Sequence, residues 1–175
     1  MEQIDFIKQF EDVNTPYFGG SLAFAQISLN LSMLCKLIDF KIKKVENKST
    51  YLKIKSIAKS LIETSNIMID KDGKIFDQIR KCKDNTLQVD KILEVEYPKS
   101  IAFLENLNTI EVFINALILE TNSSIKYDFI MIKESLISCY NNLVHILEYE
   151  VKRTTSNKLQ EERYLQIDNL RKEHI

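Results

Sequence analysis

The chain has 175 residues, 45% of them hydrophobic, enough for one domain with a sizeable core. Its 24 basic and 25 acidic side chains leave a net charge of −1, which excludes the basic footprint of a nucleic-acid binder. Three glycines and two prolines among abundant Ile, Leu and Lys predict an all-α fold. The expectation is a bundle of about five to six long helices joined by short loops, in one domain over residues 1–175.

Acid stands at Met1-Glu2-Gln3-Ile4-Asp5, where a signal peptide would carry positive charge. Cys35, Cys82 and Cys139 are scattered and have no metal-ligand spacing. Both observations predict a reduced, cytoplasmic protein. A short amphipathic helix is expected from Gln3 to Val13, with Ile4, Phe6, Ile7 and Phe10 on one side. Thr15-Pro16-Tyr17-Phe18-Gly19-Gly20-Ser21 then runs into the apolar segment Leu22 to Phe40. Adjacent glycines at a helix start let a ligand approach the main chain, the free N–H groups favour negative charge, and the Ser21 hydroxyl can cap. A tight turn into a core helix is the plainer reading of the same residues.

In steps of four and three, Ser21, Ala25, Ser28, Ser32, Cys35 and Asp39 form a small and polar face on this helix. Leu22, Phe24, Leu29, Leu31, Leu34, Leu37 and Ile38 spread over the rest, so burial on most of its circumference is predicted. Gln26, Asn30 and Lys36 interrupt the run of roughly 18 apolar residues that a membrane span requires.

After the polar stretch Lys43 to Thr50, a helix from Ser49 to Arg80 carries the stripe Tyr51, Ile54, Ala58, Leu61, Ser65, Met68, Asp72, Ile75 and Ile79. Asp70 shares its face with Lys59, Glu63, Asn66 and Lys74 and reads as solvated. Asp72 falls on the buried stripe. A carboxylate there is costly unless paired, hydrogen-bonded or protonated, so its pKa is expected to rise. A buried Asp satisfied by a neighbouring Ser or N–H is one reading; a general acid or base in a cleft is the other, and buried, perturbed carboxylates gather at sites.

Arg80 to Asp90 is expected to be a long loop or a frayed region. A helix from Leu87 to Leu119 follows, with Pro98 set to kink or restart it. Thr121-Asn122-Ser123-Ser124 supplies caps for a helix from Ile125 to Val151. Two apolar stripes on that helix are flanked by Asp128, Met131, Ser135, Ser138, Asn142, His145 and Tyr149. That line reads equally as the lining of a pocket between helices and as a polar rim bonding across an interface. Leu159 to His174 is a sparse amphipathic helix, suited to docking on the bundle or on a second subunit.

Five of these segments, in order, resemble the cyclodeaminase/methenyltetrahydrofolate cyclohydrolase domain of the formiminotransferase-cyclodeaminase family. The Thr15 to Ser21 turn is similar to that family's P-T-P-G-G-G-S, and Lys71-Asp72-Gly73-Lys74-Ile75-Phe76 to its E/D-D-A-x-A-F. Tyr97-Pro98-Lys99-Ser100-Ile101-Ala102 is similar to its v-P-l-x-i-A, Asn122 through Asp128 to its N-x-x-x-x-S-D, and Cys139-Tyr140-Asn141-Asn142-Leu143 to its A-x-x-N-V. The resemblance covers residues 5–155 and leaves a C-terminal helix over 156–174. It implies a homodimeric helical bundle acting on one-carbon-substituted tetrahydrofolate, with no metal and no tightly bound cofactor. The chemistry is closure of 5-formiminotetrahydrofolate with loss of ammonia, or interconversion of the methenyl and 10-formyl forms. By the resemblance Asp72, and after it Asp128, would move the proton. Gly19, Gly20, Ser21, Asn122, Asn142 and His145 would bind the folate, although His145 taken alone reads more simply as an interface histidine. Tyr17 and Phe18 stand where the family has proline and glycine, and the interval from Phe76 to Pro98 is shorter. These departures support a second reading, a non-catalytic, dimeric binding or accessory protein.

Overall fold

A computed structural model describes Asp12 and residues 19–82 and 85–172. The helix expected from Gln3 to Val13 and the turn residues Thr15 to Phe18 lie outside the described residues, apart from Asp12. Five helices follow in order: α1 (Gly19–Ile42), α2 (Ser49–Lys81), α3 (Thr86–Glu120), α4 (Ile125–Val151) and α5 (Asn157–Lys172). The all-α bundle expected from composition is the observed class. Each of α1 to α4 packs on two of the others, α1 on α2 and α4, and α3 on α2 and α4, so the four close into a ring. Short connections make neighbours antiparallel. α5 lies across α4 and α3.

The closest packing is between α1 and α2. Small residues account for it: Ala23, Ala58 and Ser65 are fully buried and leave room for the partner backbone. On α2 the buried positions Ile54, Ala58, Leu61 and Ser65, and further on Ile75 and Ile79, follow steps of three and four along one narrow seam, with Gly73 buried beside it. The seam of α1 is Gly20, Ala23, Phe24, Ile27, Leu31, Leu34, Leu37 and Ile38.

That burial is narrower than expected. Leu22 is 46% and Leu29 71% exposed, because only α2 and α4 flank α1 and the sector between them stays open. By length and composition alone, α1 and α3 are apolar enough to cross a membrane; in the bundle, half of α1's apolar window is buried as core.

Three local expectations are corrected. The polar stretch Arg80 to Asp90 is helical at both ends, since Asn85 caps α3 by accepting the Gln88 N–H at 3.3 Å. Pro98 sits inside one continuous α3, on its exposed side. Ser124 makes no side-chain cap on α4, whose first turn instead has Asp128 beside the positive end of the helix dipole.

α5 buries Ile167 and Leu170 in the core and adds polar contacts. The Tyr97 hydroxyl donates to the Arg163 carbonyl at 2.8 Å and the Tyr140 hydroxyl to the Leu170 carbonyl at 3.2 Å. The buried Arg163 guanidinium stacks 5.0 Å from the centroid of the Tyr97 ring, and Arg171 pairs with Glu148 at 2.7 Å.

Candidate functional site

At the end of the bundle where α1 begins, the four ring helices bring polar groups into an otherwise apolar core. α1 supplies the Ser21 backbone N–H, α2 Asp72, α3 Glu96 and Ser100, and α4 Glu150. The Asp72 carboxylate lies directly over Gly20, inside the space a Cβ there would need, and accepts the N–H of Ser21. The α1 N-terminus is therefore capped by a side chain from another helix, while the Ser21 hydroxyl, expected to cap, is buried without a partner among the described residues. The two glycines have separate roles. Gly20 makes room for Asp72, whereas the exposed Gly19 meets nothing within 4 Å.

A cavity of about 30 Å³, room for one water-sized group, is walled by Phe24, Ile75, Phe103, Leu104, Leu143 and Leu147, with Asp72, Glu96, Ser100 and Glu150 as its polar groups. It adjoins a larger cavity of about 170 Å³ that shares Phe24, Glu96, Ser100 and Phe103 and adds Thr64, Lys71 and Lys99. Phe24 and Phe103 meet edge to face, 5.4 Å between centroids, on the wall common to both.

The three carboxyls differ in what surrounds them. Burial pushes the Asp72 pKa up to about 6, against the opposing pull of the Ser21 N–H. Glu150 is buried more deeply, at 8% exposure, and faces the charges of Asp72 and Glu96; burial first and those charges second push it up to about 8. Burial also acts on Glu96, but its ion pairs with Lys71 at 2.7 Å and Lys99 at 3.2 Å outweigh it and hold the carboxyl below its ordinary value. At neutral pH the cleft thus holds an ionised Asp72, a protonated Glu150 and a neutralised Glu96.

Gly20, Ser21 and Asp72 are brought together, with Gly19 beside them but exposed. The other expected site residues are elsewhere. Asp128 begins α4, roughly 33 Å from Glu150 along the helix at 1.5 Å per residue. Asn122 borders a shallow depression at that same far end, beside Phe40 and Lys44. Asn142 and His145 are exposed on the outer side of α4, where His145 Nδ1 lies 3.1 Å from Glu148 Oε2. Of the polar line of α4, Ser135 borders the α1 interface: the Asn30 amide donates to Ser135 Oγ at 2.7 Å, and the thiol of Cys139, just inside that line, donates to Gln26 Oε1 at 3.3 Å.

Glu150 was not identified from the sequence, though a signal existed. It follows Phe129, Ile132, Leu136, Cys139, Leu143 and Ile146 at the next step of four on the same stripe. Glu96 and Lys71 had none, being ordinary charged residues on helices rich in them.

No protein-family model matches the chain, and neither curated proteins nor solved structures give a significant similarity.

Proposed function

We propose that the chain is a proton-transfer enzyme acting on a one-carbon-substituted tetrahydrofolate, as the five ordered segments of the sequence suggest. The observation that carries the reading is the pair Asp72 and Glu150, two carboxyls in one cavity with proton affinities on either side of neutrality. Loss of ammonia from a formimino group needs a proton delivered to the departing nitrogen, and attack of water on a methenyl carbon needs one removed. Asp72, ionised and aimed by the Ser21 N–H, is the base; Glu150, still protonated at neutral pH, is the acid. A positioned pair of this kind contributes about 10²–10⁴-fold.

Both cavities are smaller than the roughly 300–1,000 Å³ of a site that encloses a whole drug-sized ligand. The cleft suits the reacting end of a substrate, with an anionic tail extending past Lys71 and Lys99. Folate is substrate here, with no tightly bound cofactor. Asn122, Asp128, Asn142 and His145 have no role in this cleft.

The remaining expectations stand as part of the same proposal. Three free thiols suit a reduced cytoplasm, and the exposed Leu22, Leu29 and Met131 on the packed pair α1 and α4 suit a homodimer, which sedimentation would test.

One observation favours the non-catalytic reading. The close approach over Gly20 is already taken by Asp72, so the glycine serves packing rather than a ligand. Titration with 5,10-methenyltetrahydrofolate decides between the two. Turnover that falls at least a hundredfold in Asp72→Asn and Glu150→Gln supports the enzyme. Saturable binding without turnover supports the accessory protein, and neither binding nor turnover removes the folate reading.

A further inference from the structure

Glu150 lines the inner cavity and is more than nine-tenths buried, and among the described residues neither a hydrogen bond nor an ion pair reaches its carboxyl. Glu96, on the same cavity, has two lysines. Since Lys71 and Lys99 neutralise Glu96, the uncompensated groups are Asp72 from α2 and Glu150 from α4, and among the described residues the only polar contact opposing them is the Ser21 N–H from α1. Such a site repels anions. The three carboxyls do not reach metal-holding geometry, and the walls are aromatic and aliphatic rather than the oxygen-rich cage a hard metal ion requires.

We propose that the inner cavity binds the head group of a compact organic cation, a primary ammonium, with Glu150 as its counter-ion and Asp72 as a second acceptor. The volume of about 30 Å³ matches a head group the size of one water. Ile75, Leu104, Leu143 and Leu147 take the adjoining methylenes, and the larger cavity behind Phe24 and Phe103 takes the remainder of the ligand. Binding replaces the proton of Glu150 by the cation, so the carboxyl ionises only when its counter-ion arrives. The groups that set this exchange are Asp72 on α2, the Lys-paired Glu96 on α3 and the N-terminus of α1.

The inference does not rest on the folate reading, and each can fail alone, since turnover is assayed without amine and amine binding without folate. The test is calorimetric titration of the whole chain with n-butylammonium, using n-butanol and butyrate as neutral and anionic controls. One saturable site is expected, with about one proton released per cation at pH 7, measured in buffers of different ionisation enthalpy. Affinity should rise by up to about tenfold per pH unit from about pH 6 to pH 8 and then level off. Glu150→Gln should lose at least tenfold in affinity together with the proton release, with its circular dichroism unchanged. Butanol binding as tightly as butylammonium, affinity independent of pH, unaltered binding in Glu150→Gln, or no saturable heat at millimolar cation would each overturn the proposal. The pH dependence is read on the unsubstituted protein, so the proposal stays testable even if the variant fails to fold.

Discussion

A methyl group added at Gly20 would enter the space of the Asp72 carboxylate, whereas one added at Gly19 would meet nothing. Gly20→Ala should therefore destabilise the fold by about 1–3 kcal/mol, the usual cost of overpacking. Gly19→Ala should change stability by less than about 1 kcal/mol in either direction. Urea titration of the two variants separates them, and equal effects would sink the assigned contact. Asp72→Asn keeps an oxygen to accept the Ser21 N–H and removes the charge that burial disfavours. At pH 8 it should stabilise the fold by up to about 3 kcal/mol, at about 1.4 kcal/mol per pKa unit, while activity drops about 10²-fold or more. A large loss of stability would make Asp72 a structural cap only.

Among the elements, α5 stands apart from the ring of four. It carries few apolar side chains, buries Arg163, Ile167 and Leu170, and depends on hydroxyls offered by α3 and α4. Each such bond contributes on the order of 1 kcal/mol. Tyr97→Phe and Tyr140→Phe together should raise amide exchange across Asn157–Lys172 by about tenfold or more, and leave α1 to α4 unchanged. Uniform acceleration throughout would mean that α5 belongs to the same cooperative unit as the bundle. Within the ring, seam residues behave as ordinary core: Ile110→Ala, at a fully buried position, should cost about 2–5 kcal/mol in the same urea titration.

For the whole molecule, the acidic cleft sets an unusual pH response. Asp72 and Glu150 hold their protons more tightly folded than unfolded, with folded values of about 6 and about 8. Between the ordinary carboxylate range and about pH 8 the folded state binds more protons than the unfolded chain, so stability falls as pH rises through that window. Below it both groups are protonated in either state and the effect vanishes. Glu96 and Glu148 work the other way. Burial raises them, but the pairs with Lys71 and Lys99, and with Arg171 and His145, outweigh it, so their contribution is lost only on acidification below the ordinary range. Thermal melts from about pH 5 to about pH 9 should show a falling melting temperature. Glu150→Gln should flatten the curve and stabilise the protein at about pH 9 by up to roughly 5 kcal/mol, at about 1.4 kcal/mol per pKa unit. A rising or level profile in the parent would contradict the burial of Glu150.

The helical class, the extents of α2 and α4 and the buried register of Asp72 were legible in the residues alone. Local periodicity and the scarcity of glycine and proline determine them, with little help from distant parts of the chain. The proximity of Asp72 to Gly20 was only half legible: a glycine that admits a close neighbour and a carboxylate on a buried stripe were each visible, but not that they meet. Glu150 lay on a readable stripe, yet its proton affinity follows from Asp72 and Glu96 on two other helices. The line of Asp128, Asn142 and His145 had the phase of an interface, and which part of that interface would be open was settled by where α1 packs and how far it reaches. Periodicity acts within one helix and is encoded locally. Charge, desolvation and cavity shape depend on distances between helices, which exist only once the bundle has closed.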